Sequence, residues 1–318
     1  APTVSSPSTP TVGDLILATS TQQLYVCQTV SVGANVWANI GDGTGGIAPI
    51  ISATGGTITT YSYGGVDYKL HTFTSSGANN LVIASAPAGK TIDILVIAGG
   101  GGAGGAGHGA CSGGGGGAGG LRWFTAQSPS AATYVATIGA GGAGGSGTYG
   151  AAGTNSSFIG TGISITGTGG GGGERNHAAH ASQHGGSGGG ASANDAGGYG
   201  HTGLGNQGSY TPVEGYNGGG PISPVQNGNG GGGSGGIPTV LASTTRGGDG
   251  GAGEDNFLNQ SSSAFTVAAT KALLDSAGVG EVSGSSRHIA AGGGGGYYTS
   301  TNIGYGGLGF AGNGGDGS

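Results

Sequence analysis

The sequence predicts a mainly β protein built around a polyglycine-II-type helix bundle, with a small N-terminal β module, a β-sandwich-like head and a glycine-rich lattice. Three observations predict it. Glycine supplies 86 of the 318 residues, against roughly 7% in an ordinary protein. Only 6% of residues are charged, where about 25% is usual, so Gly, Ser, Thr, Ala and Asn must form the surface. The glycines are also segregated: 12 lie in residues 1–98, which leaves 74 in the other 220. The boundary falls at Ala98/Gly99. Three regions follow. Residues 1–55 form an attachment β module and linker, 56–98 form the β segment of the head (completed by strands at 121–165), and 99–318 form the glycine-rich domain with polar loops.

Residues 1–10 are a Pro/Ser/Thr leader without apolar period. Residues 13–43 alternate short β-rich runs with polar turns: Leu15-Ile16-Leu17, Leu24-Tyr25-Val26-Cys27 and Val36-Trp37-Ala38. About 30 residues make too small a core to stand alone, so this module is expected to dock on a partner or oligomerise. Residues 44–55 read as a Gly/Ala/Thr linker. In Lys69–Thr74, alternation places Leu70, Thr72 and Thr74 on one face. Strands are expected at 80–84 and, more deeply buried, at 91–98, with the turn Ala86-Pro87-Ala88-Gly89-Lys90 between them. Further strands are expected at 121–125, 133–138, 158–159 and 163–165. One helix is expected over 264–277, with Gly278 as its C-cap. Trp37 and Trp123 are expected in the cores of the β modules.

The glycine runs 99–102, 113–117, 169–173, 230–233 and 292–296 admit three readings. Flexible linker is the first, but Tyr, Asn, His, Leu or Phe lie within a few residues of each run. Collagen requires a strict Gly-X-Y period with abundant proline; the period is broken and only 10 prolines occur. The third reading is a bundle of polyproline-II-like glycine helices. Such a helix has three residues per turn and no internal hydrogen bonds. Its N–H and C=O groups need outside partners, and the missing Cβ lets neighbours approach. Ordering glycine costs more than about 1–2 kcal/mol per residue, so only a densely paired lattice can offset it. Bulky loop residues would then project from the tips, and Tyr199, Tyr210, Tyr216, Tyr297, Tyr298, Tyr305 and Phe310 fit that role.

The net charge is −6, and the seven basic residues (Lys69, Lys90, Lys271, Arg122, Arg175, Arg246, Arg287) are scattered, which argues against nucleic acid and anionic membranes. No stretch of about 18 apolar residues occurs. Ala1-Pro2-Thr3 lacks a basic region and an apolar core, so a signal peptide is not expected in these residues. Two cysteines, Cys27 and Cys111, exclude a disulfide framework; free thiols are the expectation and one bridge the alternative. His177, His180 and His184 could share a helix face and bind Zn²⁺ or Fe²⁺; the plainer alternative is a polar segment with solvated imidazoles. Asp249 and Asp316 sit in Gly-Gly-Asp-Gly but lack the calcium-repeat period, and read as turn residues. Gly-x-Gly-x-x-Gly matches lack the strand–helix context of dinucleotide sites, and neither a nucleophile elbow nor a supported carboxylate pair appears. No cofactor and no enzymatic activity are expected.

The stretch HTFTSSGANNLVIASAPAGKTIDILVIAGGGGAGG (71–105) resembles the start of the glycine-rich domain of bacteriophage tail fibres and related virion proteins. TYVATIGAGGAGGSGTYGAAGTNSSFIG (133–160) and ISITGTGGGGG (163–173) continue the pattern, and residues 13–45 resemble a module of cyanobacterial-phage structural proteins. The likeness covers about two thirds of the chain. It implies a homo-oligomeric protein exposed on the virion, joined to other virion proteins through residues 1–55. It would bind a bacterial or cyanobacterial surface glycan or outer-membrane protein through loops. The alternative is a purely structural capsid or tail decoration, or a filament subunit. An ice-binding glycine-helix protein would need a flat face of small side chains, which the bulky loops oppose. The polar insertions at 174–184, 204–229 and 254–291 depart from the minimal pattern.

Overall fold

The computed structural model describes residues 11–18, 23–30, 36–39, 50–63, 65–105, 112–175, 183–192, 201–222, 227–239, 241–255, 267–297 and 303–307. The protein is mainly β, with several small open sheets and one short helix. It divides into two compact units, residues 1–52 with 85–90, and residues 53–84 with 91–318.

In the first unit, β1 (Leu15–Ala18), β2 (Gln23–Thr29) and β3 (Val36–Asn39) form an antiparallel sheet in that order. Tyr25 and Cys27 are buried, whereas Leu15 is 61% exposed. The Trp37 indole N–H is buried without a partner. Cys27 is a free thiol; Cys111 lies outside the described residues.

In the second unit, β4 (Ser52–Thr54) begins in the span read as linker. It joins the edge of a five-stranded sheet of order β12-β11-β10-β7-β4, with β7 spanning Gly77–Ser85, β10 Thr133–Ile138, β11 Ser156–Gly160 and β12 Ile163–Gly167. Alternation buries one face: Leu81, Ile83, Tyr134, Ala136, Phe158, Ile163 and Ile165. The Tyr134 and Phe158 rings stack at 5.3 Å. The antiparallel hairpin β5 (Thr57–Tyr63) and β6 (Val66–Thr72) stacks Tyr61 on Tyr68. Burial, reinforced by Tyr68 and Asp93, pushes the Tyr61 hydroxyl up to about 12.

β8 (Ile92–Ile97) and β9 (Leu121–Gln127) pair antiparallel and are covered on both faces. Leu95 opposes Trp123, and Ile97 opposes Leu121. That face packs on Leu273 and Leu274 of α1 (Val267–Ala277). The other face carries Ile94 and Val96 and lies against β11 and β12. Two-sided burial explains the nearly unbroken apolar run. Its one acid, Asp93, sits at a register shift and accepts the Ala126 N–H. α1 ends as the sequence predicts, with Gly278 left-handed at φ +69°. Asp275 bonds Lys271 and Arg287, which hold its carboxyl below the usual range. A small hairpin, β13 (Glu281–Ser283) with β14 (Ser286–His288), follows.

The glycine segments pair differently. A strand bonds a given neighbour in a two-residue alternation; here the same neighbour returns every third residue. In segment 112–120, the amides of residues 114, 117 and 120 donate to Glu174, Gly171 and Thr168. Those of 115 and 118 donate to Asn229 and Gly232. The carbonyls of 114, 117 and 120 accept from Gly104, Gly101 and Ala98, those of 115 and 118 from Gly190 and Ser187, and those of 113 and 116 from Gly296 and Gly293. One segment is thus bonded to other glycine segments on every side, and all its residues are buried.

Candidate binding surface

The hydrogen-bond registers fix the direction of each glycine segment. Segments 98–105, 139–145, 168–174, 186–191, 215–219 and 290–296 run one way. Segments 112–120, 150–154, 203–207, 228–234, 248–253 and 304–307 run the other. Every junction with the β strands falls at one end: Ile97–Ala98, Gly120–Leu121, Ile138–Gly139, Asn155–Ser156 and Gly167–Thr168. At the opposite end, the far end, the chain leaves and re-enters the array at Gly105 and Ser112, Gly145 and Gly150, Ser192 and His201, Gly219 and Gly228, and Gly296 and Gly304. The span 175–184 also departs from Glu174 at that end.

Of the sequence-derived candidates, Tyr199 and Tyr298, like His177, His180 and Phe310, lie outside the described residues. Tyr199 belongs by sequence to the 193–200 connection, and Tyr297 and Tyr298 to the one after Gly296. Tyr297 is half-buried. Tyr210 and Tyr216 are half-buried and sit toward the sheet end. The Arg122 guanidinium lies 3.5 Å from the Tyr210 ring centre and 4.8 Å from that of Phe124. Asn206 accepts the Tyr210 N–H and donates to its carbonyl, so this loop is shaped by side chain–backbone bonds. Tyr305 is 61% exposed within segment 304–307; its N–H donates to Asp249, and Arg246 covers its ring at 5.4 Å. His184 is exposed, and its Nδ1 accepts the Leu204 N–H, which leaves Nε2 as the protonated nitrogen. Among the described residues, no group of three or more His, Cys, Asp or Glu is placed to hold a metal ion. No helix among them is long and apolar enough to cross a membrane.

Sequence reasoning passed over two buried carboxylates that organise the loops. Glu214 is fully buried; its oxygens accept the N–H groups of Thr168 and Gly208. Glu174, 2% exposed, accepts the N–H groups of Ser192 and His201, and His201 Nδ1 stands 3.7 Å away. Burial pushes the Glu174 carboxyl up, and these amides and the imidazole only partly counter it. Neighbouring Arg175 turns instead to the Gly147 carbonyl and the Tyr149 ring. The one available signal was a lone glutamate closing the 169–173 glycine run.

A family model described as a glycine-rich domain matches residues 74–318. No curated protein and no solved structure matches the chain. The matched span holds the array, the five-stranded sheet apart from β4, the β8–β9 pair and α1, and the chain belongs to the glycine-rich domain family.

Proposed function

We propose that this chain is a virion fibre or adhesin protein whose glycine segments are polyglycine-II-type helices. They stand on a β-sandwich-like head and display loops that bind a bacterial, including cyanobacterial, surface glycan or outer-membrane protein. The observation that carries the reading is the common far end. Twelve segments, six running each way, return five connections there, while the strands that run into them join the opposite end. A three-residue bonding repeat with neighbours on every side is what parallel and antiparallel three-fold helices would give. Such a lattice fixes loop stems to backbone precision without a large hydrophobic core. Loops that carry Tyr, Asn and His then combine apolar area with hydrogen bonding, which suits glycan and protein surfaces. The phage assignment rests on the resemblance of 71–105 and 133–173. On it, residues 1–55 join other virion proteins, the chain is a homo-oligomer, and its role is structural and binding rather than catalytic.

The test is binding of the labelled full chain to whole candidate host cells, with competition against adsorption of the parent virion. Saturable binding that blocks adsorption, and that is lost when residues 193–200 are replaced by a short Gly/Ser link, supports the adhesin role. A folded, correctly assembled chain that binds no cell the virion adsorbs to overturns that role and leaves a structural decoration or filament subunit.

A further inference from the structure

We propose that the array has one open lateral position, beside segments 98–105 and 139–145, that binds an extended glycine-rich segment of another polypeptide. The bonding repeat shows where each group points. At Gly114 the carbonyl accepts from Gly104, the amide donates to Glu174, and a Cβ would meet the Gly190 oxygen. One residue thus addresses three successive neighbours, and Gly117 addresses the same three segments. The rule holds along 98–105. The Gly102 carbonyl serves 168–174, its amide serves 150–154, and a Cβ would meet 139–145. The Gly100 and Ala103 carbonyls serve 139–145, so their amides point one place further round, past that segment. The Gly142 amide serves 98–105, and a Cβ there would meet 150–154. Its carbonyl, and that of Gly139 one repeat earlier, therefore point to the same place.

Among the described residues, nothing fills that place. The amides of Gly100 and Ala103 have no acceptor there, and the carbonyls of Gly139 and Gly142 have no donor. Ala103, Gly141 and Gly144 are exposed. The position is also bare of side chains. A Cβ at Gly141 or Gly144 would project into it, with the nearest atoms the Gly100 oxygen at 3.6 Å and the Ala103 oxygen at 3.8 Å. At Gly100 a Cβ would turn away toward Gly117 O (3.6 Å) and Gly119 N (3.9 Å), and the Ala103 methyl, one repeat on, follows it. Backbone chemistry fixes what fits. One wall offers two amides and the other two carbonyls, each pair three residues, or about 9 Å, apart. Neither wall carries a charged side chain, so nothing selects an ionic ligand. A three-fold glycine segment returns its carbonyls and amides at that spacing and lacks the Cβ that would hold it off. A β-strand repeats every two residues and does not match. The four described neighbours of 98–105 are all glycine segments bonded in this way. The site is the three-fold counterpart of a sheet edge that accepts a peptide strand. It rests on the three-fold reading of the segments and not on the virion role.

The probe is an end-blocked peptide of about eight glycines, enough for two full repeats, flanked by lysines for solubility. It is added to the nitrogen-15-labelled full chain, with an alanine peptide of the same length and flanks as control. Without peptide, the Gly100 and Ala103 amides are expected to exchange freely. The glycine peptide should shift both resonances saturably and slow their exchange, and the alanine peptide should do neither. Gly141→Ala combined with Gly144→Ala puts two methyl groups into the position, and should weaken binding by at least about tenfold while the Gly114 and Gly117 amides stay protected. Four results overturn the proposal: protection of Gly100 and Ala103 before peptide is added, no saturable shift, equal binding of the alanine peptide, or unchanged binding by the double variant. The Gly114 and Gly117 amides report on the array itself. If they are protected and the peptide does not bind, this proposal alone fails; if they exchange freely, the three-fold reading fails with it.

Discussion

In the sheet region, a buried position is filled by a side chain. Leu121, Trp123, Leu273 and Leu274 close the space between β9 and α1, while Tyr134, Phe158 and Ile165 close one face of the five-stranded sheet. In segment 112–120 the buried atoms are backbone. A Cβ added at Gly114 would stand 1.9 Å from the Gly190 oxygen, at Gly115 2.1 Å from that of Gly293, and at Gly116 2.1 Å from that of Gly101. Both regions exclude water, but they tolerate opposite errors. The first is damaged by removing atoms and the second by adding them. The glycine region also carries an entropic handicap that its hydrogen bonds, worth about 1 kcal/mol net each, must offset collectively. That is why the interior segment is bonded on all sides and has no open edge.

The comparison breaks most severely at an interior glycine. Gly115→Val drives a branched side chain into the Gly293 carbonyl, with backbone on all sides and no flexible side chain to yield. The expected loss exceeds about 4 kcal/mol, in the range reserved for a defined steric failure. Denaturant unfolding measures it, and a loss below about 1 kcal/mol would mean that the segments are not packed as described. Leu274→Ala, at a fully buried side chain, is the mirror experiment. It removes methyl groups and leaves a cavity, for an expected cost of about 2–5 kcal/mol by the same measurement.

A calorimetric prediction sharpens the same contrast. Exposing apolar surface raises heat capacity and exposing polar backbone lowers it, for a usual net of about 12–15 cal/mol/K per residue. A chain in which much of the buried surface is backbone should unfold with a smaller increment per residue. A value at or above the usual range would show that side-chain burial dominates after all.

How much of this was legible beforehand follows the same divide. Where side chains report burial, the sequence was informative. The expected helix over 264–277 overlaps Val267–Ala277, and the strands expected at 121–125 and 133–138 match β9 and β10. The five-residue apolar core of 92–98 anticipated a deeply buried strand, though not that α1 would supply one of its two covers. The β5 strand was passed over because TITTYSY alternates Thr and Ser with only partly buried residues. The glycine registers were not legible at all. A run without side chains carries no periodicity to show which other run it meets, so the shared far end emerged only from the bonded pairs. Glu174 stayed hidden for a related reason: its partners are backbone amides 18 and 27 positions on, which no residue type marks.

The gentlest test lies at the edge of the array. Segment 139–145 alternates in threes. Gly139, Gly142 and Gly145 face segment 148–154, where a Cβ would come within 2.0–2.1 Å of a carbonyl oxygen. Gly141 and Gly144 are exposed, and their nearest neighbours would be 3.6 and 3.8 Å away. Neither has the positive φ that would strain a side chain. Gly141→Ala and Gly144→Ala should therefore be neutral or stabilise by up to about 1 kcal/mol, because alanine loses less chain entropy on folding. Gly142→Ala, one residue away in the same run, should cost several times more. If all three substitutions cost the same in thermal or denaturant unfolding, the requirement for glycine is one of backbone flexibility. If they split as expected, it is a steric requirement, set by how closely the neighbouring carbonyl approaches.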